Sequence, residues 1–255
     1  MSNSYRDDLF DSYLKDADEP FAGWDFSFIS DTGRLQNGAL PWSYASIVLP
    51  YFWKSVSVLD MGTGGGEFLA KLQPFPANLC ATEGYAPNVP VAKRKLEPLG
   101  VRVEQEFDQE DQPFPDSAFD LILNRHKNFS AKEVRRMLKD GGTFITQQVG
   151  GRDCREINEA LGEPSNPRTA HSELEPMCEA LEQEGFTVTL KREAFPVQRF
   201  YDIGALVYYL KAIPWQVPGF TVEKYRDELF AIHERILQEG FFEVTQQRYL
   251  LVAVI

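Results

Sequence analysis

Residues Val56–Phe68 read VSVLDMGTGGGEF: a short apolar run, an acid at Asp60, then four glycines within the five positions 62–66. A segment of this kind forms a buried strand that breaks into a tight turn where a ligand can approach the main chain. The order of its residues limits that ligand. Gly62, Gly64 and Gly66 leave room for a nucleoside, whereas the Asp60 carboxylate at the strand end would repel a pyrophosphate. A dinucleotide fingerprint requires its third glycine three residues after the second, and Glu67 stands at that position here. Opposite charge is favoured and like charge penalised at close range, so a cationic ligand without phosphates fits better than NAD or ATP.

Downstream of this segment strands and helices alternate. The first strand, 56–60, is followed by a predicted helix from about Gly65 to Leu72, a second strand at Ala77–Thr82 ending in Glu83, and a helix from Pro90 to near Gly100 with Asn88 available as its cap. Val101–Phe107 and Phe119–Leu123 read as the third and fourth strands. Lys132–Leu138 reads as a helix stopped by Asp140, Gly141 and Gly142, and Thr143–Val149 as the fifth strand. Short connections between alternating elements predict a mostly parallel sheet covered on both faces. Ligands of such sheets bind at the carboxyl ends of the strands, where the acids and glycines fall.

The flanking regions differ in texture. Residues 1–50 are ring-rich, with Phe10, Tyr13, Phe21, Trp24, Phe26, Phe28, Trp42 and Tyr44, and support short helices at 4–16 and 43–52 joined by a loop holding Gly23, Gly33, Gly38 and Pro41. These rings would either cap the mouth of the next unit or pack on its outer face. After a loop and short helix beyond 150, His171–Glu184 reads as a helix ended by Gly185, and Phe186–Lys191 as a strand of period two. The apolar stretch DIGALVYYLKAIPW precedes an amphipathic helix at Val222–Gln238. The run YLLVAV within Gln247–Val254 suits an interior strand beside 186–191. The intervening stretch is long for a structureless loop and should fold over something. The expected plan is an N-terminal cap at 1–50, a core at 51–193, lid helices at 194–240 and a terminal strand within 241–255.

A chain of 255 residues accommodates one large core with a compact addition. Its 43% hydrophobic and 25% charged residues are ordinary for a globular protein. The formal net charge of −12 disfavours a polyanionic partner, and the basic clusters Lys93, Arg94, Lys95 and Arg135, Arg136, Lys139 read as solvated helix faces. Cys80, Cys154 and Cys178 are widely spaced without a CxxC pair, which fits free thiols and argues against metal ligation. The start MSNSYRDDLF has no signal-peptide pattern and no apolar run reaches membrane-spanning length, so a cytoplasmic location with no membrane partner is expected.

The carboxyl-end residues describe an adenosine-shaped site. Glu83 stands where a carboxylate can accept from two ribose hydroxyls. An acid after the third strand would accept from an exocyclic amine, but spacing alone does not choose among Glu104, Glu106, Asp108, Glu110 and Asp111.

Taken together, VLDMGTGGGEF, Glu83, FDQEDQPFPDSAFDLIL and LKDGGTFI resemble the class I methyltransferases that use S-adenosylmethionine. TEGYAPNVPVAKRKLEPLG, NRHKNF and FITQQVG are further similar to a group of small bacterial members. The resemblance implies an α/β fold with a Rossmann-like, seven-stranded, mostly parallel sheet whose last strand is antiparallel, here with an N-terminal helical cap and an insertion before that strand. It implies S-adenosyl-L-methionine as cofactor and no metal. It assigns Asp60, Gly62, Thr63, Gly64 and Gly66 to the methionine and sugar portions, Glu83 to the ribose, and Gly84 and Tyr85 to the adenine. Asp108, five residues before Pro113, and the amide of Gln109 go to the adenine amine, and Asn124, Arg125 and His126 to the edge facing the methyl group.

Methyl transfer from a sulfonium is a direct displacement in which alignment is the main contribution; a base is needed only for a protonated acceptor. His126 is the candidate base, with Asn124 beside it and Tyr85 or Tyr201 orienting an oxygen acceptor. Arg125, His126, Lys127 and the amides Gln147 and Gln148 give this edge the means to read a carboxylate or carbonyl. Trp24, Phe28, Trp42, Tyr201, Tyr208, Tyr209 and Trp215 are candidates for a drying lid, Tyr208 and Tyr209 reading better as core. The expected partner is a small or medium organic acceptor, with the protein a monomer or homodimer. RNA or protein methylation, and a non-enzymatic cofactor-binding module, are the alternatives.

Overall fold

The computed structural model describes residues 3–22, 24–166 and 172–255. Gly23, read as part of a loop, and His171, read as the start of a helix, lie outside these residues. The chain divides into two compact units, one made of Met1–Ala39, Gly150–His171 and Ala194–Gln247, the other of Leu40–Val149, Ser172–Glu193 and Arg248–Ile255. The strands among the described residues are β1 Leu35–Asn37, β2 Ser57–Met61, β3 Asn78–Glu83, β4 Arg102–Gln105, β5 Phe119–Arg125, β6 Leu138–Val149, β7 Thr187–Ala194, β8 Val197–Phe200, β9 Phe242–Thr245 and β10 Arg248–Val254.

The second unit is built on a seven-stranded sheet of order β4-β3-β2-β5-β6-β10-β7. Strand β2 pairs in parallel with β3 and β5, β3 with β4, and β5 with β6. The final strand β10 is antiparallel to β6 and lies between β6 and β7. This is the Rossmann-like sheet expected from the sequence. Every residue of β2 is buried, which is why SVLDM reads as a continuous apolar run rather than an alternation. Leu59, Met61, Phe119, Ile122, Phe144, Tyr249 and Leu251 form one cluster, each side chain contributing about 1.5–3 kcal/mol by leaving water. Register then sets the site: Asp60 lies opposite Ala81 and Leu123, and Met61 opposite Thr82 and Asn124. The carboxyl ends of three neighbouring strands therefore finish level.

Three local expectations change. The helix expected at Gly65–Leu72 is a single 3-10 turn at Leu69–Lys71, because the glycine turn consumes the residues before it and Pro74 and Pro76 close the segment after it. The helix at Val89–Leu96 begins with Pro90 in its first turn, but the buried Asn88 makes no side-chain cap. The helix at Ala131–Met137, capped by Ser130, gives way at once to β6, which runs through Asp140, Gly141 and Gly142. Those residues are an irregularity within a strand. Gly141 has φ of 76°, and a Cβ at Gly142 would lie 2.7 Å from the Lys139 carbonyl oxygen.

The first unit holds helices at Asn3–Leu14, Ile203–Ala212 and Arg226–Glu239 with a three-stranded antiparallel sheet of order β1-β8-β9. This sheet was not foreseen, since strands of three or four residues are too short to display a period. It pairs Leu35 from the N-terminal segment with Phe200 from the stretch before the last strand. Phe10, Ile29, Phe200, Leu206, Leu229 and Phe242 make its core, and Tyr208 and Tyr209 are buried in it, as the core reading had it.

Arg34 crosses this unit as a fork. Its Nε and Nη2 donate to the two Asp202 oxygens at 2.8 and 2.6 Å, and Nη2 also reaches Asp16. Hydrogen bonding to Asp202 is the largest influence holding its proton more tightly than usual. Asp202 also caps the helix at Ile203–Ala212 by accepting from Ala205 N at 2.8 Å. Gly204 makes room for this triad, because a Cβ there would run into Asp16 and lie 2.7 Å from Arg34 Nη2. We expect Gly204→Ala to cost about 1–3 kcal/mol from overpacking, outweighing the gain of up to about 1 kcal/mol in helix propensity. Urea unfolding should shift to a lower midpoint; an unchanged or raised one would mean that the triad relaxes freely.

Candidate active site

The glycine turn follows β2 directly. Gly62, Gly64 and Gly66 adopt φ of 69°, 65° and 82°, a region disfavoured for side-chain-bearing residues. Space is a second constraint. A Cβ at Gly62 would lie 2.7 Å from Lys127 Cβ, and one at Gly66 the same distance from Leu96 Cγ. The turn is stitched to the end of β3: Thr63 N donates to Thr82 O at 2.8 Å, and Gly62 N to Thr82 Oγ1 at 3.4 Å. Glu83 completes the seam, its Oε2 accepting from Gly64 N at 2.6 Å and its Oε1 from Tyr85 N at 2.7 Å.

Asp60 and Glu83 thus converge on one rim. Burial pushes the Asp60 carboxyl up to about 6, opposed by the Thr63 hydroxyl and the Arg125 charge, with the Glu83 charge adding a little more. Burial also raises Glu83, against the two amides and Lys127. Two acids held above their usual range, with no metal-ligating cluster among the described residues, are suited to a cationic ligand that would restore both to their charged forms.

The outer edge departs from the sequence reading. Lys127, read as a free charge at the reaction edge, lies along Gly62 and Gly84 and places Nζ 2.7 Å from Oε1 of the buried Glu106. Glu106 N donates in turn to Glu83 O at 3.0 Å. Asp108 is exposed and its Oδ1 accepts from Glu110 N at 2.9 Å, so its carboxylate shapes its own turn, with Gln109 half-buried beside it. No sequence signal joined Glu106 to Lys127, since register across the four strands β4, β3, β2 and β5 brings them together. Tyr85 is 58% exposed at the rim.

The end of β5 supplies the opposite wall. Asn124 is fully buried, and its Oδ1 accepts from Thr146 Oγ1 at 3.2 Å and Gln148 Nε2 at 2.6 Å. Its Nδ2 has no partner among the described residues, and a buried donor left unsatisfied costs about 1–3 kcal/mol. That donor points to a ligand. Arg125 stands 4.9 Å over the Phe68 ring, and Phe68 lies 5.3 Å from Tyr44, whose OH reaches the carbonyls of Asn124 and Ile145. Tyr44 and Phe68 were not assigned to the site from sequence, although the ring-rich 43–52 segment carried a hint. Gln147 and Gln148 are both buried.

His126 has φ of 61°, an uncommon left-handed conformation for a non-glycine residue, and its N–H donates to Gln147 O at 2.8 Å. The Gln147 amide is oriented by Trp42, whose Nε1 donates to Gln147 Oε1 at 2.8 Å. Gln147 Nε2 must then donate to His126 Nε2, 3.0 Å away. The imidazole accepts at Nε2 and carries its proton on Nδ1. Desolvation and then the Arg248 and Arg125 charges lower its pKa; because the residue is exposed, the two guanidinium charges are the firmer cause of that direction. Tyr201 belongs to the first unit, where its OH donates to Gln36 Oε1 at 2.6 Å.

Residues 59–146 match the family described as a methyltransferase domain, bounds that enclose all the candidate cofactor residues. The chain is 32% identical over 97 residues to the uncharacterized methyltransferase YcgJ of Bacillus subtilis (strain 168), over 34% of this chain and 38% of that protein's length. The crystal structure of YcgJ has the same fold, with a TM-score of 0.55 at 17% identity over 83% of this chain and 97% of that one. A functionally unknown protein from Deinococcus radiodurans R1 gives 0.58 at 13% identity over 99% of both chains. The cyclase SpnF gives 0.53 at 15% identity over 92% of this chain and 97% of that one. At such identities these structures speak for the fold alone. Residues 59–146 are thus similar to a methyltransferase domain, set in a fold shared with these structures.

The raised pKa of Asp60 has a definite sign. The folded state binds the proton more tightly than the unfolded one, so this group favours folding below the ordinary carboxylate range and loses that contribution as pH rises through about 6. A cationic ligand needs the ionised form. We expect affinity for S-adenosylmethionine to rise roughly tenfold between about pH 5 and pH 7, and Asp60→Asn to flatten that rise. Calorimetric titration across this range checks it; a flat wild-type profile would remove Asp60 from the donor site.

Proposed function

We propose that the protein transfers a methyl group from S-adenosylmethionine to a small or medium organic acceptor. The observation that carries this reading is the convergence of Asp60 and Glu83 on the glycine turn, with Glu83 hydrogen-bonded to Gly64 N and Tyr85 N. When bound, the cofactor would supply an already activated methyl group on a sulfonium. Asp60, Gly62, Thr63, Gly64 and Gly66 would hold its amino-acid and sugar portions, and Glu83 its ribose. Gly84 and Tyr85 would flank the adenine, with Asp108 and Gln109 at its amine. Asn124 Nδ2, a buried donor lacking a partner among the described residues, would find one in the loaded site.

The remaining task of these residues is alignment, which contributes up to about 7–11 kcal/mol in well-oriented reactions. His126 has its Nε2 committed to Gln147, so it serves better as a donor through Nδ1–H than as a base. An acceptor that is already a nucleophile, or loses its proton to water, suits this edge. Methylation of RNA is disfavoured by the net charge of −12. SpnF, named a cyclase, has a similar fold, so the fold alone does not specify the reaction.

Calorimetry with S-adenosylmethionine should give at least tenfold weaker binding for Asp60→Ala and for Glu83→Ala. Undiminished affinity in both variants would remove the cofactor assignment. Adenosylhomocysteine should form with pooled small metabolites and not with bulk RNA, and the reverse pattern would overturn the acceptor class.

A further inference from the structure

The reaction edge carries a cation whose charge no acid neutralises by contact. Lys127 is consumed by Glu106 at 2.7 Å, but Arg125 is exposed and forms no ion pair or hydrogen bond among the described residues. Its guanidinium rests on the Phe68 ring, 4.9 Å from the centroid, which holds a planar fork in place without using its N–H donors. It lies near enough to Asp60 and to His126 for its charge to act on both. Beside it, His126 presents Nδ1–H, a tautomer fixed by the chain Trp42 Nε1 to Gln147 Oε1 and Gln147 Nε2 to His126 Nε2. That nitrogen has no partner among the described residues.

The charge balance points one way. Asp60 and Glu83 are acids of this rim, and in the proposed function the donor's ammonium and sulfonium charges meet them. The Arg125 fork then remains for an anion, either the donor's own carboxylate or one on the acceptor, and Arg248 adds to the field on His126. A guanidinium fork plus one further N–H matches the two coplanar oxygens of a carboxylate, for which bidentate binding by arginine is well suited. A left-handed backbone at His126, φ 61°, is a local cost that turns the imidazole out of the strand pattern.

Resting on the methyl-transfer reading, we propose that the acceptor carries a carboxylate, held by the Arg125 guanidinium and His126 Nδ1–H. Gln147 and Trp42 act as positioning residues by setting the imidazole tautomer. The carboxylate is the handle by which the acceptor is recognised, and a phosphate or a neutral carbonyl is the competing ligand chemistry.

Three measurements test this on the full chain. First, 15N spectra of the histidine-labelled protein without cofactor should assign a protonated Nδ1 and an unprotonated Nε2 to His126, and Gln147→Leu should abolish that preference; the opposite tautomer in the wild type would overturn the donor role. Second, adenosylhomocysteine formation is compared for a pool of small monocarboxylic acids, the primary amides of the same skeletons, and phosphomonoesters. At least tenfold more product from the acids supports the proposal, whereas equal or greater product from the amides or phosphates, or no product from the acids, overturns it. Third, Arg125→Gln should raise the KM for the active acids at least tenfold while calorimetric affinity for S-adenosylmethionine is unchanged or tighter, because a cation beside a cationic donor has been removed. An unchanged KM overturns the proposal, and so does weaker S-adenosylmethionine binding, which would give the fork to the donor's own carboxylate. Should Arg125→Gln fail to fold, Arg125→Lys, retaining charge without the fork, should show an intermediate KM, and a wild-type KM would count against it. Failure of the wild-type protein to bind S-adenosylmethionine at all would instead strike the underlying methyl-transfer reading.

Discussion

The bridge made by Glu83 holds this site together. One carboxylate at the end of β3 accepts from an amide in the glycine turn after β2 and from another two residues along its own chain, at 2.6 and 2.7 Å. Charge-assisted bonds of this length are stronger than neutral ones. They fix a turn in which three glycines take left-handed conformations and which would otherwise be a loose connection. The same acid is the one proposed to hold a ribose, so one group would both shape the cradle and bind its contents.

Around this bridge charge is arranged in layers. Asp60 and Glu83 are buried and held above their usual ionisation range, Glu106 is buried and neutralised by Lys127, and Arg125 stands farther out against an aromatic ring. Burying acids costs free energy unless they are paired or hydrogen-bonded. The inner pair is incompletely compensated within the protein, which is the condition for a cation to bind there without a metal. The outer cation carries the opposite charge, and His126, protonated at Nδ1 by its bond to Gln147, adds a donor without adding charge.

The first unit solves a different problem. Its three strands are short and its helices come from distant parts of the chain, so little local sequence holds it together. Arg34 compensates by linking Asp16, which precedes the β1 segment, with Asp202, which caps the helix at Ile203–Ala212. The packing works only because Gly204 leaves the space open. The small sheet of β1, β8 and β9 escapes a reading by periodicity because strands of three or four residues contain barely one repeat. The pairing of β1 with β8 joins residues more than 160 positions apart, as in Leu35 with Phe200.

By itself the sequence determined the alternating strands of the second unit, the glycine turn, and the acids Asp60 and Glu83 at strand ends. Each of these is written locally, as an apolar run, a glycine cluster or a residue one position past a strand. It did not determine that Lys127 pairs with Glu106, that Asp108 bonds its own turn, or that Asn124 is left with a spare donor. Nor did it decide which nitrogen of His126 carries the proton. Those outcomes belong to the tertiary structure, because they depend on strand register, on which neighbour reaches a group first, and on how burial strengthens or penalises a charge once water has been excluded.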